Sequence, residues 1–402
     1  MAFLHGIEHL DLPSDFRPVN DIVTAVIGLI GTSEGSAEDN VLYLCSNDKD
    51  DAKFGTSGTI PESLKGIRAQ ASRRGNALVF VVSISGTGEE GAITGADIVG
   101  EVSETGVRTG LKLFEVAKTK FGFEPMIYIA PHYSAMGAVK AELQAIAAKN
   151  EAMAYIDTPD GYTFIEAMAS RGTTGDFTNL DEGQKLLFPW FRIANPAYTG
   201  DEESTIEKYL TVPMSAYMAG LRAKVDLEEG WHVSSSNHRV YGVEGMDVDL
   251  TFNLGDPASE ANMLNSVGFV TAVNMFGHGI NEWGNYTAGF PGNAAPDAFE
   301  CVRRTRAIMK RAIEQAAIPF LDKCFNQANV DAIRSTVNQY LNGLMGQNKI
   351  LYGKCFYRPE SNPAGELAMG HVTFDIEFTP AIPMQRLTFT YKIDLSQLAN
   401  VA

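Results

Sequence analysis

The sequence predicts an α/β fold: a mostly parallel α/β domain is followed by a smaller α+β domain, with extended strand arms at both ends. Strand-like apolar runs alternate with helical periodicity over the first two thirds of the 402 residues. Two amphipathic helices and two alternating strands follow in the last third. A turn-rich stretch at residues 284–297 separates these patterns, so we place a domain boundary there.

The first region is predicted from buried runs and helical stripes. Residues 1–22 are expected to form an extended arm, because Pro13 and Pro18 interrupt any regular pattern. The β-branched run at residues 78–84 is typical of a strand buried on both faces. Further strands are predicted at residues 23–30, 126–130, 152–156 and 186–193, and helices at residues 105–121, 136–150, 164–171 and 213–227. This alternation indicates parallel strands joined by right-handed crossovers.

The last third has a different pattern. Apolar stripes at helical spacing predict helices at residues 300–317 and 329–345. Strict alternation of apolar and polar residues predicts strands at residues 372–378 and 387–395. Pro380 and Pro383 separate these two strands.

The charge is distributed unevenly between the two regions. The net charge of the chain is −17. Residues 1–288 hold 20 basic and 39 acidic residues, whereas residues 289–402 hold 12 and 10. The acidic charge of the chain as a whole argues against general binding of nucleic acid or of an anionic membrane surface.

Cysteine and histidine spacing gives no metal-site pattern. The four cysteines lack zinc-site spacing, which favours buried thiols in a reducing compartment. His5 and His9 form the one close histidine pair, and metal binding there is the weaker interpretation. No apolar run is long enough to span a membrane, and no secretory signal is present, so we expect a cytosolic origin. We expect neither a metal nor a cofactor.

Residues 31–35 read Gly-Thr-Ser-Glu-Gly and fit the G-x-S-x-G pattern of α/β-hydrolases. Ser33 would be the nucleophile, and Asp157 and His278 follow in the right order for a triad. The alternative is a glycine-rich turn that leaves a strand. The segment after Ser33 has the composition of a loop rather than a helix, which favours the turn. No phosphate-binding G-x-x-x-x-G-K-[ST] motif occurs.

Several segments, in order along the chain, resemble the contractile tail sheath family of contractile phage tails, R-type bacteriocins and related injection systems. They are HGIEHLDLPSDFRPVNDIVTAVIGLIGTS at the start, VPMSAYMAGLRAKVDLEEG from residue 212, WHVSSSNHRVYGVEG from residue 231, MLNSVGFVTAVNMFGHGINEWGNYT from residue 263, and FECVRRTR from residue 299. The sequence departs from the family pattern at Tyr286, where arginine is usual, and at residues 224–227.

The resemblance implies a structural protein rather than an enzyme. Its expected domains are an N-terminal arm at residues 1–22, an outer α/β domain at 23–288, an inner tube-facing domain at 289–385 and a C-terminal arm at 386–402. Copies of the chain would polymerise helically around an inner tail tube, together with baseplate and tail terminator proteins. Contraction would drive the tube through a cell envelope. The particle would be a virion tail or an extracellular contractile device, assembled in the host cytoplasm, without direct nucleic-acid binding or membrane insertion.

Two sets of residues are the candidate sites. The first is a basic cluster on one predicted helix, interpreted either as a solvated face or as a surface that docks on an acidic inner tube. The second is the pair of terminal strands, which would pair within their own domain or complete the sheet of a neighbouring copy. The basic cluster is Arg303, Arg304, Arg306, Lys310 and Arg311. The arm residues are Phe3, Leu4, Ile7 and Leu10 at the N-terminus, and Leu387, Phe389, Tyr391, Ile393 and Leu395 at the C-terminus.

Overall fold

The computed structural model describes residues 23–200 and 205–395. The predicted N-terminal arm, with Phe3, Leu4, Ile7 and Leu10, lies outside the described residues, as do His5 and His9. The strands are β1 Val26–Gly31, β2 Leu42–Cys45, β3 Leu78–Ser83, β4 Ile127–Ile129, β5 Met153–Asp157, β6 Gln184–Leu187, β7 Phe191–Ala194, β8 Tyr209–Val212, β9 Gly245–Met246, β10 Phe269–Asn274, β11 Ile280–Trp283, β12 Ile350–Phe356 and β13 Asp375–Pro380. The helices are α1 Asp48–Asp51, α2 Thr59–Ala69, α3 Gly95–Val99, α4 Ala117–Phe121, α5 Gly137–Lys149, α6 Phe164–Ser170, α7 Met214–Glu228, α8 Glu260–Ser266, α9 Glu300–Ala317, α10 Gln327–Gly346 and α11 Ala364–Ala368.

An eight-stranded sheet organises the first region, in the order β11-β10-β6-β5-β4-β1-β3-β2. The six inner strands run parallel, and the edge strands β2 and β11 pair antiparallel to their neighbours. The β-branched run at residues 78–84 predicted a strand buried on both faces, and the corresponding strand β3 is buried along nearly its whole length. The predicted mostly parallel α/β class is confirmed.

Helices cover both faces of this sheet. Apolar side chains of α2 and α7 pack on one face, against the alternate residues Ile27 and Leu29 of β1. Side chains of α3 and α5 pack on the other face, against Val26 and Ile30. The arrangement is a three-layer α/β sandwich, as expected when crossover helices flank a parallel sheet.

The close approach of α7 to α2 requires a glycine in α7. A Cβ atom built on Gly220 would lie 2.8 Å from both Cα and the carbonyl oxygen of Ile67 in α2. Real Cβ atoms do not make such contacts, so a side chain here would push the two helices apart. This contact gives a packing reason for Ala219-Gly220 in the segment that carries the family resemblance.

Two sequence predictions in this region are wrong in detail. The predicted helix at residues 105–121 contains a 3₁₀ segment, Gly110–Val116, and only then α4. Gly106 and Gly110 adopt positive φ angles of 83° and 55°, which a continuous right-handed helix cannot accommodate. The predicted strand at residues 186–193 is two strands, because β6 lies in the large sheet whereas β7 pairs with β8 and β9. Pro189 lies between them and has no N–H to continue a ladder.

The C-terminal part contains α9, α10, the short helix α11 and the antiparallel pair β12–β13. Both predicted helices are present, and α9 begins and ends at the predicted residues. The predicted strand at residues 372–378 begins at Asp375 instead. Its partner β12 escaped prediction because Gly353 and Lys354 interrupt the apolar alternation in ILYGKCF.

The predicted strand at residues 387–395 has no strand partner within the described subunit. Residues 381–395 have no regular secondary structure, although their apolar and polar residues alternate. Phe389 is 73% exposed and Tyr391 is 90% exposed. This segment therefore does not fold back onto β12 or β13 in the described subunit.

Candidate functional site

The residues of the possible hydrolase triad are not brought together. The Ser33 hydroxyl hydrogen-bonds the Ser83 hydroxyl at 2.9 Å. The Asp157 carboxylate accepts a hydrogen bond from the backbone N–H of Ser215, in the first turn of α7, at 2.8 Å. Within the described ranges, no hydrogen bond joins Ser33, Asp157 and His278. A nucleophile needs such a base within hydrogen-bond reach, so the hydrolase interpretation is not supported, and residues 31–35 form the turn that leaves β1.

The described residues contain no group of three or more histidine, cysteine or acidic side chains placed to hold a metal ion. None of the described helices has both the length and the apolar character to cross a membrane.

The basic cluster on α9 divides into buried and accessible members. Arg304 is 1% exposed and pairs with Asp226 of α7. Arg311 is buried as well, and its guanidinium lies 3.4 Å from a carboxylate oxygen of Glu124. These two side chains form ion pairs inside the subunit and, in this conformation, cannot contact another molecule.

The other three basic side chains lie nearer the surface. Arg306 pairs with Asp297 at 3.2 Å, and the half-exposed Lys310 pairs with Glu151. Arg303 is partly buried, and burial lowers its pKa. The face at positions 303, 306 and 310 is thus the accessible part of the cluster, and its role in tube binding stays a prediction.

A buried ionic cluster lies where α9 meets the large sheet. The Lys185 ammonium of β6 is 2.5 Å from a carboxylate oxygen of Glu282 and 2.7 Å from one of Glu300. The Tyr155 hydroxyl donates to the other oxygen of Glu300 at 2.5 Å, and the Ser235 hydroxyl donates to Glu282 at 2.9 Å. The Lys185 and Glu282 side chains are fully buried. These contacts join β5, β6 and β11 to the first residue of α9.

A second ionic group continues toward α7. Asp226 accepts hydrogen bonds from Arg222, one turn earlier in α7, and from Arg304 of α9. Arg222 also donates to the carbonyl oxygen of Val233 at 2.6 Å, which fixes the loop after α7. The six buried charges of the two groups balance, with three cations and three anions. Buried charges require such pairing, because an isolated one is costly away from water.

The pKa values of this cluster follow from its charge pairing. Burial alone would raise the pKa of Glu300, but Lys185, Arg222 and Arg304 outweigh burial and hold that pKa well below its usual range. Burial alone would lower the pKa of Lys185, whereas Glu282 and Glu300 raise it overall. The Glu300 carboxyl and the Lys185 amine therefore both stay ionised at neutral pH. The cluster acts as a fixed ionic contact between α9 and the sheet.

Sequence reasoning did not find this cluster. One available signal was Lys185, a lysine directly before the apolar pair Leu186-Leu187 with which a predicted strand begins. A second was Glu300 at the first position of a helix otherwise rich in arginine. The segments that carry the family resemblance contribute Arg222, Ser235, Glu282 and Arg304, so residues far apart in sequence meet in one place.

The apolar core of the C-terminal part includes two side chains from the large domain. Met126, just before β4, and Trp231, just after α7, belong to the buried cluster that contains Ile308 of α9 and Leu341 of α10. The predicted boundary near residue 288 therefore crosses a shared core.

The pair β12–β13 is a two-stranded sheet whose outer edges have no strand partner within the described subunit. Leu351 is 68% exposed, and Tyr352 and Ile376 are also exposed. An open edge with apolar neighbours can accept a further strand, and residues 387–395 have the alternating pattern of such a strand.

Comparison with known proteins identifies similar sequences. Residues 91–288 match the family model described as the phage tail sheath protein central domain. The tail sheath protein of Burkholderia phage BcepMu is 30% identical, and the match covers 99% of this chain and 98% of that protein. The tail sheath protein of Escherichia phage P2 is 28% identical, over 99% of this chain and 97% of that protein.

Solved structures show a similar fold. The helical sheath of the anti-feeding prophage in its contracted state aligns with a TM-score of 0.71 at 16% identity, covering 98% of this chain and all of that chain. The contracted sheath complex of the extracellular contractile injection system PVC also aligns with a TM-score of 0.71, at 15% identity, covering 99% of each chain.

Proposed function

The chain belongs to the contractile tail sheath family, and from this premise we propose how its termini and its basic helix act in the assembled sheath. The protein is a structural subunit of a contractile injection system, and copies of it form a helical sheath together with other tail components. Its place is a virion tail or an extracellular contractile particle. The homologues are structural proteins, in keeping with a role that requires no catalysis.

The terminal arms link neighbouring copies in this proposal. Residues 387–395 leave their subunit and pair with the open edge of β12–β13 in an adjacent copy. Two observations on residues 23–200 and 205–395 support this proposal. The alternating segment has no strand partner there, and β12–β13 forms a two-stranded sheet whose outer edges are unpaired there. The N-terminal arm at residues 1–22 has the equivalent role. Such contacts do not close on themselves, so they generate a helical tube.

The remaining proposals concern partners and contraction. The domain at residues 289–385 faces an inner tail tube, and Arg303, Arg306 and Lys310 contact acidic groups on it. The acidic domain at residues 23–288 faces outward, and the ends of the sheath meet baseplate and tail terminator proteins. Contraction is a rigid-body switch between two packings of the subunits, with the arms as tethers. A difference of a few kcal/mol per subunit, typical of two-state equilibria, is summed over many copies.

Truncation tests the arm proposal. We expect that deleting residues 1–12, or residues 387–402, leaves a folded subunit that forms no tubes, because each deletion removes one intermolecular strand. Negative-stain electron microscopy and size-exclusion chromatography measure the assembly, and circular dichroism checks the fold. Normal tubes from either truncation would refute the arm model.

A matched pair of variants separates strand pairing from loss of chain length. Replacing Phe389, Tyr391 and Ile393 with serine removes the apolar face of the segment and should prevent assembly. Replacing Thr388 and Thr390 with serine changes the opposite face and should preserve it. Equal effects of the two variants would contradict pairing through the apolar face.

A further inference from the structure

Gln385 connects the C-terminal segment to the junction between the two parts of the chain. The Tyr286 hydroxyl donates a hydrogen bond to the side-chain oxygen of Gln385 at 2.8 Å. The side-chain amide nitrogen of Gln385 donates to the side-chain oxygen of Asn285 at 3.3 Å. Both the oxygen and the nitrogen of the Gln385 side-chain amide therefore bind residues that lie about 100 positions earlier in the sequence.

The Tyr286 ring has a fixed position. It stacks on Phe290 with a centroid distance of 3.9 Å and an interplanar angle of 2°, and on Phe299 at 4.7 Å and 18°. Tyr286 also forms a backbone bridge with Phe299, and the N–H of Glu300 donates to the carbonyl oxygen of Asn285 at 3.0 Å. The hydroxyl that meets Gln385 is thus held by the same backbone that begins α9.

We propose that Asn285 and Tyr286 form a latch that holds Gln385 and so fixes the point where the C-terminal arm leaves the subunit. This inference rests on the proposed role of the arm and adds the residues that set its starting point. The latch residue Tyr286 stands where the family pattern usually has arginine. Its phenol supplies one neutral hydrogen bond from a ring that stacks on Phe290 and Phe299.

The latch determines how far the arm reaches. β13 ends at Pro380, so without the latch the described arm would be free from residue 381, a span of roughly 50 Å when fully extended. With Gln385 held, the free part begins at Arg386 and spans roughly 33 Å up to residue 395. The latch therefore removes about a third of the reach and fixes the origin of the arm on the junction rather than on β13.

Limited trypsin digestion of the unassembled full-length chain tests the latch. Trypsin cleaves after Arg386, next to the latch, and after Lys392, beyond it, so the second bond is an internal reference. Tyr286→Phe keeps the stacked ring and removes only the hydroxyl. We expect cleavage after Arg386 to become about fivefold faster relative to cleavage after Lys392, the factor that one neutral hydrogen bond contributes. Mass spectrometry of the released C-terminal peptides measures the ratio.

Two further variants give the controls. Gln385→Ala should raise the same ratio at least as much, because it removes the hydrogen bonds to both Tyr286 and Asn285. The double variant should be no faster than Gln385→Ala alone, because Gln385→Ala already removes the contact that Tyr286→Phe breaks. Tyr241→Phe removes a hydroxyl from a tyrosine outside the latch and should leave the ratio unchanged. An unchanged ratio in Tyr286→Phe, or additive effects in the double variant, would overturn the latch.

The test distinguishes failure of the latch from failure of the arm proposal. The cleavage ratio is measured on unassembled subunits and does not depend on polymerisation. If the ratio rises as expected but deletion of residues 387–402 leaves normal tubes, the latch stands as an internal contact and the arm model fails. If the ratio does not change but the deletion prevents assembly, the arm model stands and the latch is wrong.

Discussion

Two buried carboxyl groups of this chain contribute to stability with opposite dependence on pH, because their neighbours differ. Glu300 is surrounded by cations that outweigh its burial and depress its pKa. Asp157 lies at the end of β5, and burial raises its pKa to about 6, although hydrogen bonds from Ser215 and Ser134 and the charge of His132 oppose the rise. Glu300 therefore stabilises the fold above its unfolded pKa of 4.5, and this contribution is lost as the pH falls toward the folded pKa.

The Asp157 contribution has the reverse sign. Its folded pKa of about 6 exceeds the unfolded value of 3.8, so the folded state binds the proton more tightly and this contribution falls as the pH rises between those values. Asp157→Asn keeps the acceptor for Ser215 and cannot ionise. We expect the stability difference, wild type minus variant, to decrease by roughly 2 kcal/mol between pH 4 and pH 7.

Urea denaturation at several pH values measures this difference. Asp249→Asn, at an exposed position, is the control and should leave the pH profile unchanged. A difference between wild type and Asp157→Asn that stays constant with pH would show that Asp157 has an ordinary pKa.

The contacts and burial of single side chains were predicted less well from the sequence than the helices and strands were. Burial of Lys185 depends on Glu282 of β11 and Glu300 of α9, which are distant in sequence, and the local pattern carries no information about such pairing. The five basic residues of α9 show the same limit. Helical periodicity placed Arg303, Arg306 and Lys310 on one face correctly, but only the tertiary contacts to Asp226 and Glu124 account for the burial of Arg304 and Arg311.

At the level of elements, α9 is held to the large domain by Asp226 of α7. Asp226→Asn would remove the carboxylate that pairs directly with the buried Arg222 and Arg304. We expect a loss of about 3 to 5 kcal/mol in the free energy of unfolding, the range observed when one partner of a buried pair is removed. The urea unfolding midpoint, followed by circular dichroism, measures the loss.

The control variant breaks an ion pair of α9 at the surface. Glu151→Gln removes the partner of Lys310, where both side chains are substantially exposed. Exposed pairs contribute about 0 to 1 kcal/mol, so this variant should unfold near the wild-type midpoint. Similar losses from the two variants would indicate that the Asp226 contacts add little to the stability of the subunit.

Elements with continuous patterns were predicted well, whereas those that depend on turn geometry were not. The strong apolar stripe of α9 predicted both of its ends, and β3 was predicted within one residue. The segment at residues 105–121 has apolar residues at helical spacing, but the positive φ angles of Gly106 and Gly110 broke the predicted helix. The alternation of residues 387–395 predicted a strand, but no strand of the described part of the chain pairs with this segment.

At the level of the whole molecule, Arg304 and Arg311 of α9 are buried in ion pairs with the acidic domain of the same subunit. The tube-facing proposal therefore depends on the accessible positions Arg306 and Lys310. We expect the double charge reversal Arg306→Glu/Lys310→Glu to weaken assembly around an acidic inner tube, because attraction becomes repulsion. Tube-free polymers of the subunit should still form, since the arms are unchanged.

Co-assembly of purified subunit and tube protein, compared by electron microscopy at low and high salt, measures this effect. Lys118→Glu, an exposed reversal in the acidic domain, is the matched control and should assemble on the tube as wild type does. Normal tube-supported assembly of the double variant would exclude this face from tube binding.

The shared core around Met126 and Trp231 has a mechanical consequence. These two side chains belong to the large domain but are buried with α9 and α10, so a load applied at β12–β13 reaches β4 through packed side chains and not through a slack peptide tether. A pull exerted by a neighbouring copy on the C-terminal sheet would therefore displace both parts of the subunit together, with little relative motion between them.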